Sequence, residues 1–524
     1  MINLYIKSFL KSNIFISIII FFFSFSINYY YSNLGVFPID TFFHYDSSFR
    51  ILKNELPIRD FWIVSGFVID FIQSLFFKIF GINWNSYVIH SSIMNFIVSI
   101  VIYYYFLDLK IDKLKSLIFS CCFAILAYTI SGTPFVDHHA TFFLLISTVL
   151  LVKTINNEKK YIWIIIVFLF FLSFLTKQVP ASYFFVIQGV IISFYIFLEK
   201  KYFILKYIFL SFITFLLIFL LFLGVLKIDI NSFYVQYFAY PQAIGSSRFE
   251  NFNLTFNDFF NNYKFLLLPL IIIVFLKFNK LKKKNSNFSK KDLYGSLILL
   301  SFIICILFHQ IMTKNQIFVY FLVPILLGKL YSELNSTDYK FQNYFNFILM
   351  ISLILITLKY HNRYNESRKF HELENINLSY ALPASKIDNS LNGLSWINPF
   401  FETEPEKEIF LLKKSISVLN NQKTEIMLFS HYLFLDSVTN KNLNYPSRSF
   451  TLDGASMPLK NNKYFKFYKK FLIKNIQDKE IKKVFFFKHE KILQNSLTDY
   501  LEHSCYARYE DDLFYIYELK CYTN

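Results

Sequence analysis

Hydrophobic positions along this chain come in long blocks, separated by short polar stretches. Apolar runs lie near residues 14–31, 86–107, 116–132, 140–152, 161–176, 181–198, 207–224, 263–278, 293–311, 317–334 and 343–359. Most are long enough to cross about 30 Å of hydrocarbon as a helix. The run at 140–152 is short and is expected to borrow residues from its flanks. No small-residue cleavage site follows Ile14–Tyr31, so that run reads as a first span and not as a cleaved leader. The pattern predicts a membrane all-α core of about eleven transmembrane helices over residues 1–360.

The polar stretches fix an orientation. With the N-terminus in the cytoplasm, the loops on that side hold about 20 Lys and Arg in about 67 residues, against about 9 in about 112 on the other side. The positive-inside rule selects this arrangement. An odd number of spans then puts residues 361–524 outside the cytoplasm. Two outer loops are long. In the first, 32–84, the segment Ser65–Phe80 is helix-like, and Asp70, Gln73 and Lys78 interrupt its apolar pattern; it reads as a helix lying in the membrane interface, with a packed re-entrant segment as the alternative. The second, 225–264, is rich in Asn, Phe and Tyr.

From His361 the pattern changes. The runs TEIMLFS and KKVFFFK are strand-like, HEKILQNSLTDYLEHS is helix-like, and YARYEDDLFYIYEL reads as a hairpin around Glu510-Asp511-Asp512. A small extracytoplasmic α/β domain over 361–524 is expected. Cys505 and Cys521 fall in it, and either a disulfide in an oxidising compartment or two free thiols fits the sequence.

Composition narrows the picture further. The chain is 55% hydrophobic and 17% charged, well below the charge content of a soluble domain. Its 69 Phe and 37 Tyr fit the codon bias of an AT-rich genome, so aromatic stripes are read as lipid-facing filler. The net charge of +17 does not indicate nucleic acid, because the lysines sit in short loops between apolar runs.

The spans carry almost no ionisable ladder, as a proton-coupled pump or voltage sensor would need. Acids and cations gather instead at one end of the helices. Asp40 lies just after the first run, with Asp46, Arg50, Arg59 and Asp60 behind it; Asp137-His138-His139 opens the fourth; Lys177 ends the fifth; Tyr234, Tyr237, Tyr240 and Arg248 lie in the second long loop. All fall on the outer face of a topology chosen from lysine counts alone. Each has a plain explanation: Asp46 and Asp60 as solvated loop acids, Asp137 as a helix cap, Lys177 as a snorkelling side chain. Together they suit glycosyl transfer from a lipid-phosphate sugar. A carboxylate accepts the proton of the attacking hydroxyl, and a cation stabilises the departing phosphate. In-line attack would invert the sugar's configuration.

The segment PIDTFFHYDSSFRILKNELPIRDFWIVSGFVIDFIQSLFFKIFGINW resembles the first outer loop of glycosyltransferase C superfamily enzymes, the bacterial relatives of protein O-mannosyltransferases and the lipid A aminoarabinose transferase. Asp40 matches that family's catalytic Asp. ILKNELPIRD matches the stretch after it with Asn54 in place of Gly, and SGFVID has Phe67 where Pro is common. DHH stands at the second acidic motif and TKQ at the outer-loop Lys motif. The resemblance covers about residues 1–200, and beyond that it rests on topology. It implies Asp40 as general base, with Asp137 and His138 positioning the acceptor or a metal. Lys177 and Arg59 would face the donor phosphate, with Asp46, Asp60 and Arg248 in support. It implies a polyprenyl-phosphate sugar donor, a glycan, lipid or protein acceptor, and no certain cofactor, with a divalent metal left open.

A polymerase or ligase of lipid-linked glycans is the nearest rival. Such enzymes typically place a large arginine-bearing loop late in the chain, whereas here the charged loop comes first and the late loop has Arg248 alone. A transporter would show internal repeats or Gly- and Pro-broken helices; no repeat is visible, and mid-span prolines are sparse, Pro269 and Pro324 being the clearest.

Overall fold

The computed structural model describes residues 12–157, 159–250, 255–282, 290–313, 318–336, 342–451, 454–490 and 494–521. Its helices are α1 (Asn13–Ser32), α2 (Phe43–Leu52), α3 (Val68–Phe80), α4 (Trp84–Asp108), α5 (Lys113–Leu126) and α6 (Val136–Asn157). Then come α7 (Ile162–Thr176), α8 (Gln178–Leu198), α9 (Phe203–Val225), α10 (Tyr240–Glu250), α11 (Phe256–Lys282) and α12 (Lys290–Thr313). The series closes with α13 (Leu322–Asn335), α14 (Gln342–His361), α15 (Pro405–Asn420), α16 (Phe465–Asp478) and α17 (Gln494–Tyr500).

A helix occupies each expected apolar run, and α6 takes residues from both flanks of its short run, as anticipated. Among the described residues nine helices are long and apolar enough to cross a membrane, which makes this a multi-pass membrane protein. That is fewer than the eleven expected. α7 has 15 residues and α13 has 14, each short of a full crossing at 1.5 Å per residue.

The chain forms two compact units. The first comprises residues 1–32, 88–218 and 251–370 and holds most of the apolar helices. Polar side chains bond between its helices. Asn28 Nδ2 donates to Ser91 Oγ at 3.1 Å, Ser92 Oγ at 3.0 Å and the Gly132 carbonyl at 3.2 Å. Gly132 sits at φ +73°, where a Cβ would lie 2.8 Å from Ser32 Cα, so the close approach of that turn to α1 requires glycine. Toward the other end of α11–α13, Glu333 accepts from Lys277 at 2.7 Å, Lys329 at 2.8 Å and Lys280 at 2.9 Å.

The second unit comprises residues 33–87, 219–250 and 371–524: both long outer loops together with the tail. Backbone pairing stitches them. Val36 N–H donates to the Ile397 carbonyl at 2.9 Å, and Trp62 N–H to that of Pro446 at 2.9 Å. Gln236 accepts from Ile63 N–H at 3.0 Å and donates to the Ile58 carbonyl at 2.9 Å. The stretch 225–264, expected as a loop, is helical over much of its described length: Ile230–Tyr234, Val235–Ala239 and α10 run on in succession.

Two short strands, β1 (Leu382–Pro383) and β2 (Ser395–Trp396), pair antiparallel. The main sheet contains β3 (Ile426–Phe429), β4 (Lys483–Phe487), β5 (Tyr506–Glu510) and β6 (Phe514–Leu519) in the order β3-β4-β6-β5. β3 and β4 are parallel, joined through α16, and β5–β6 is the expected hairpin. The parallel strands are the two apolar runs of the tail; β4 lies inside the sheet, and β3, at the edge opposite β5, is buried throughout. β5 forms an edge whose outer residues are exposed and charged, which blunts further pairing. A Cys505–Cys521 disulfide joins the two ends of the hairpin.

The helix expected over Ser65–Phe80 is α3. Asp70 and Gln73 point into the unit, while Leu75 and Ile79 are 59% and 71% exposed. Ile69 and Phe77 are buried beside Asp70 and Gln73, and Lys78 is exposed with Leu75 and Ile79, so each face of the helix mixes polar and apolar residues.

Candidate functional site

In the first unit, Asp137 stands in the first turn of α6, where unpaired backbone N–H groups favour an anion. Lys177 is the extended residue between α7 and α8. Its Nζ donates to Asp137 Oδ1 at 2.6 Å. His309, near the end of α12, meets the same oxygen through Nε2 at 2.8 Å. Asp137 is 4% exposed and its Oδ2 has no partner. A carboxylate, an ammonium and an imidazole therefore converge at the ends of apolar helices, where each alone would be costly. Lys177 gives one of its three N–H donors to Asp137, leaving the others for an incoming anion.

The remaining residues of the DHH run part company. His138 lies in an aromatic cage, stacked on Tyr128 at 4.9 Å and 4.5 Å from Phe318, with both ring nitrogens unpartnered. His139 bonds Tyr128 Oη at 2.5 Å and His90 Nε2 at 3.0 Å. Among the described residues no group of three or more His, Cys, Asp or Glu is placed to hold a metal.

In the second unit, Asp40 occupies the single turn Pro38–Thr41, whose N–H groups bond back to the Phe37 carbonyl. It is half-buried. One turn further, at the start of α2, His44 is fully buried and its Nδ1 lies 2.5 Å from Asp70 Oδ1. Asp70 also takes Arg448 Nη1 at 2.8 Å, and Arg448 reaches the Gly66 carbonyl at 2.8 Å. A carboxylate held by a guanidinium is an acceptor, so His44 donates from Nδ1 and presents a bare Nε2. Burial lowers the imidazole pKa, against the opposing pull of Asp70.

Asp46 is buried, with both oxygens unpartnered. Arg50 approaches it only to 3.9 Å, because its Nε is taken by Glu55 at 2.7 Å and its Nη1 by the Tyr445 carbonyl at 2.8 Å. Burial pushes the Asp46 pKa well above the usual carboxylate range, against the opposing pull of Arg50. Glu55, between Arg50 and Lys479, is lowered to about 2 by those cations in spite of its burial. Arg59 and Asp60 pair with each other at 2.7 Å, and Asp60 also accepts from Leu56 N–H at 2.6 Å. Tyr237 and Tyr240 are buried, whereas Tyr234 is exposed. Arg248 lies in α10, with its side chain outside the described residues.

The sequence reading had Asp137 and Lys177 as separate motifs; the fold joins them as an ion pair. It had no place for His309, His44 or Arg448. The signal for His309 was there, an imidazole near the end of an otherwise apolar run. Arg448 lies in an irregular stretch of the tail with nothing local to mark it.

No protein-family model and no curated protein matches the chain. Among solved structures it is similar to a crystal structure of ArnT from Cupriavidus metallidurans bound to undecaprenyl phosphate. The likeness has 10% sequence identity, a TM-score of 0.43, and covers 97% of this chain and 99% of that one. At that level it carries no residue correspondence, and the functional reading rests on this chain's own side chains.

Proposed function

We propose that this protein is a membrane glycosyltransferase of the C superfamily. It moves a sugar from a polyprenyl-phosphate-linked donor to an envelope glycan, lipid or protein, with inversion, on the outer face of a bacterial inner membrane. The observation that carries this reading is the Asp137–Lys177–His309 cluster at the ends of apolar helices. A buried, polar-bonded cation there serves a substrate whose phosphate lies at the membrane surface and whose tail stays in lipid.

Asp40 is assigned as the base. It takes the proton of the acceptor hydroxyl as that oxygen forms its bond to the anomeric carbon. The bond from that carbon to the donor phosphate oxygen breaks, and the electron pair leaves with the phosphate. Lys177, steadied by Asp137, is assigned to the charge that develops there. Arg59, expected as a second cation for the donor, is paired with Asp60 at 2.7 Å and is given no part in the transfer. His138, in its cage of rings, is assigned to shape the site and not to transfer a proton.

The test is sugar transfer in membranes supplied with labelled polyprenyl-phosphate sugars, comparing wild type with Asp40→Asn at equal protein level. The substitution keeps shape but removes the proton acceptor, so transfer is expected to fall by about 10²–10⁴-fold. Transfer that survives in the variant removes Asp40 as base. Wild type that transfers no sugar from any donor overturns the transferase reading and favours a transporter.

A further inference from the structure

A polar cleft lies within the second unit. It has a volume of about 620 Å³, within the range of small-molecule sites. One wall is a face of α16. Phe467, Lys470, Phe471, Lys474 and Asp478 recur at three- and four-residue spacing, so they share one side of the helix. The opposite wall is the segment from Lys227 to Ser232.

The charges decide what the cleft suits. Arg59 and Lys479 also line it, but both are committed, to Asp60 at 2.7 Å and to Glu55 at 2.8 Å. Lys227, Lys470 and Lys474 make no ion pair among the described residues, and they face the two carboxylates of Asp229 and Asp478. Asp229 is partly used in capping the turn that follows, accepting from Ser232 N–H at 2.8 Å. The surplus is one positive charge. A ligand with two charges concentrated on one group, such as a phosphate dianion, would be repelled by the two carboxylates, whereas carboxylates spread one to a sugar unit would not. A ligand with hydroxyl groups would use them as acceptors, together with Asn231, while Phe467 and Phe471 offer half-buried ring faces to the apolar side of a sugar.

We propose that this cleft binds an acidic saccharide carrying a single negative charge per recognised unit, such as a uronic acid residue. Under the transferase reading this is the acceptor glycan; that role rests on that reading, whereas binding itself does not. The test uses the full-length protein in detergent micelles, titrated by saturation-transfer NMR with trigalacturonic acid, maltotriose and acetate. Trigalacturonic acid is expected to bind saturably, at least about tenfold tighter than either of the others, because only it brings both anion and sugar.

In Lys470→Ala/Lys474→Ala its affinity is expected to fall by about tenfold or more, as loss of charge-assisted hydrogen bonds does. Phe467→Ala is expected to weaken it without making binding more salt-dependent. Both lysines are exposed, so the variant keeps its fold, which the unchanged melting temperature verifies. Equal affinity in wild type and the double variant overturns the proposal, as does the absence of saturable binding. Acetate binding as tightly as trigalacturonic acid would leave a simple anion site and overturns the saccharide. Because no transfer is measured, failure here is separate from failure of the Asp40→Asn test.

Discussion

If Asp137 and Lys177 form one unit, their removal must be non-additive. The two atoms lie 2.6 Å apart, with side chains 4% and 18% exposed. At an effective dielectric near 20, unit charges about 3 Å apart attract by about 5–6 kcal/mol, before desolvation is subtracted. Removing one member of such a pair leaves the other buried and typically costs about 3–5 kcal/mol. Asp137→Asn strands both Lys177 and His309 and is expected near 3 kcal/mol. Lys177→Met costs less, about 1–2 kcal/mol, because Asp137 keeps His309 at 2.8 Å and Lys177 is the more exposed partner. The double variant no longer strands the lysine, so a coupling of about 2 kcal/mol is expected. Equilibrium unfolding of purified protein in mixed dodecylmaltoside–SDS micelles reads all four corners of the cycle. Additivity within about 0.5 kcal/mol would show that the two charges do not act on one another, and would remove the positioning role given to Asp137.

Three further outcomes follow from the charges and the disulfide. Glu490, bonded by Ser430 and His431 N–H, has its carboxyl pushed up to about 8 by burial. Its folded-state pKa lies above the unfolded one, so its protonated form is favoured by folding and stability is lost as pH rises from about 4.5 through 8. Glu490→Gln keeps the acceptor oxygen and is expected to melt like wild type at pH 5 and to be more stable by about 3 kcal/mol at pH 9; a parallel pH dependence in both would refute this. Glu333→Gln removes the shared anion of Lys277, Lys280 and Lys329 and is expected to destabilise by about 3–5 kcal/mol, read as a lower thermal midpoint in detergent, against no change if the lysines are solvated. Cys505→Ala/Cys521→Ala opens a loop with a sequence separation of 16 and is expected to cost about 3 kcal/mol by chain entropy. Denaturant unfolding of the oxidised protein checks it, and a midpoint equal to wild type would show the link contributes nothing.

The parts of the fold legible in the sequence are those governed by local repetition. Apolar runs gave the helices in place, and the alternation from apolar strand to helix gave the tail its sheet and hairpin. What local pattern does not carry is pairing across distance. Nothing near Trp62 announces that its N–H will meet Pro446, and nothing in 225–264 announces Gln236 bonding the backbone of the first loop. Those bonds are why the long loops join the tail in one unit, and why the second of them is helical: its buried backbone needs partners that an open loop cannot supply. The helices α7 and α13 are a different case: their runs read as spans from apolarity, while their described helices have 15 and 14 residues.

The candidate site divides along the same line. A charged residue at the end of an apolar run is conspicuous because the membrane makes it costly, and Asp137 and Lys177 stand out on that ground. The same argument, applied to an uncharged imidazole, would have picked His309 from FIICILFHQIMT, since an unbonded ring nitrogen in hydrocarbon is also costly. It would not have found Arg448, because a charge in a polar tail costs nothing in isolation. Asp70 is the link between the two cases. The sequence marks it as a polar interruption in an amphipathic helix, which suggests a face turned to water. The structure turns that face inward, onto His44 at 2.5 Å and Arg448 at 2.8 Å. An acid on an otherwise apolar helix is therefore evidence of a buried partner as much as of solvent, and the residue that completes it has to be sought among cations far along the chain.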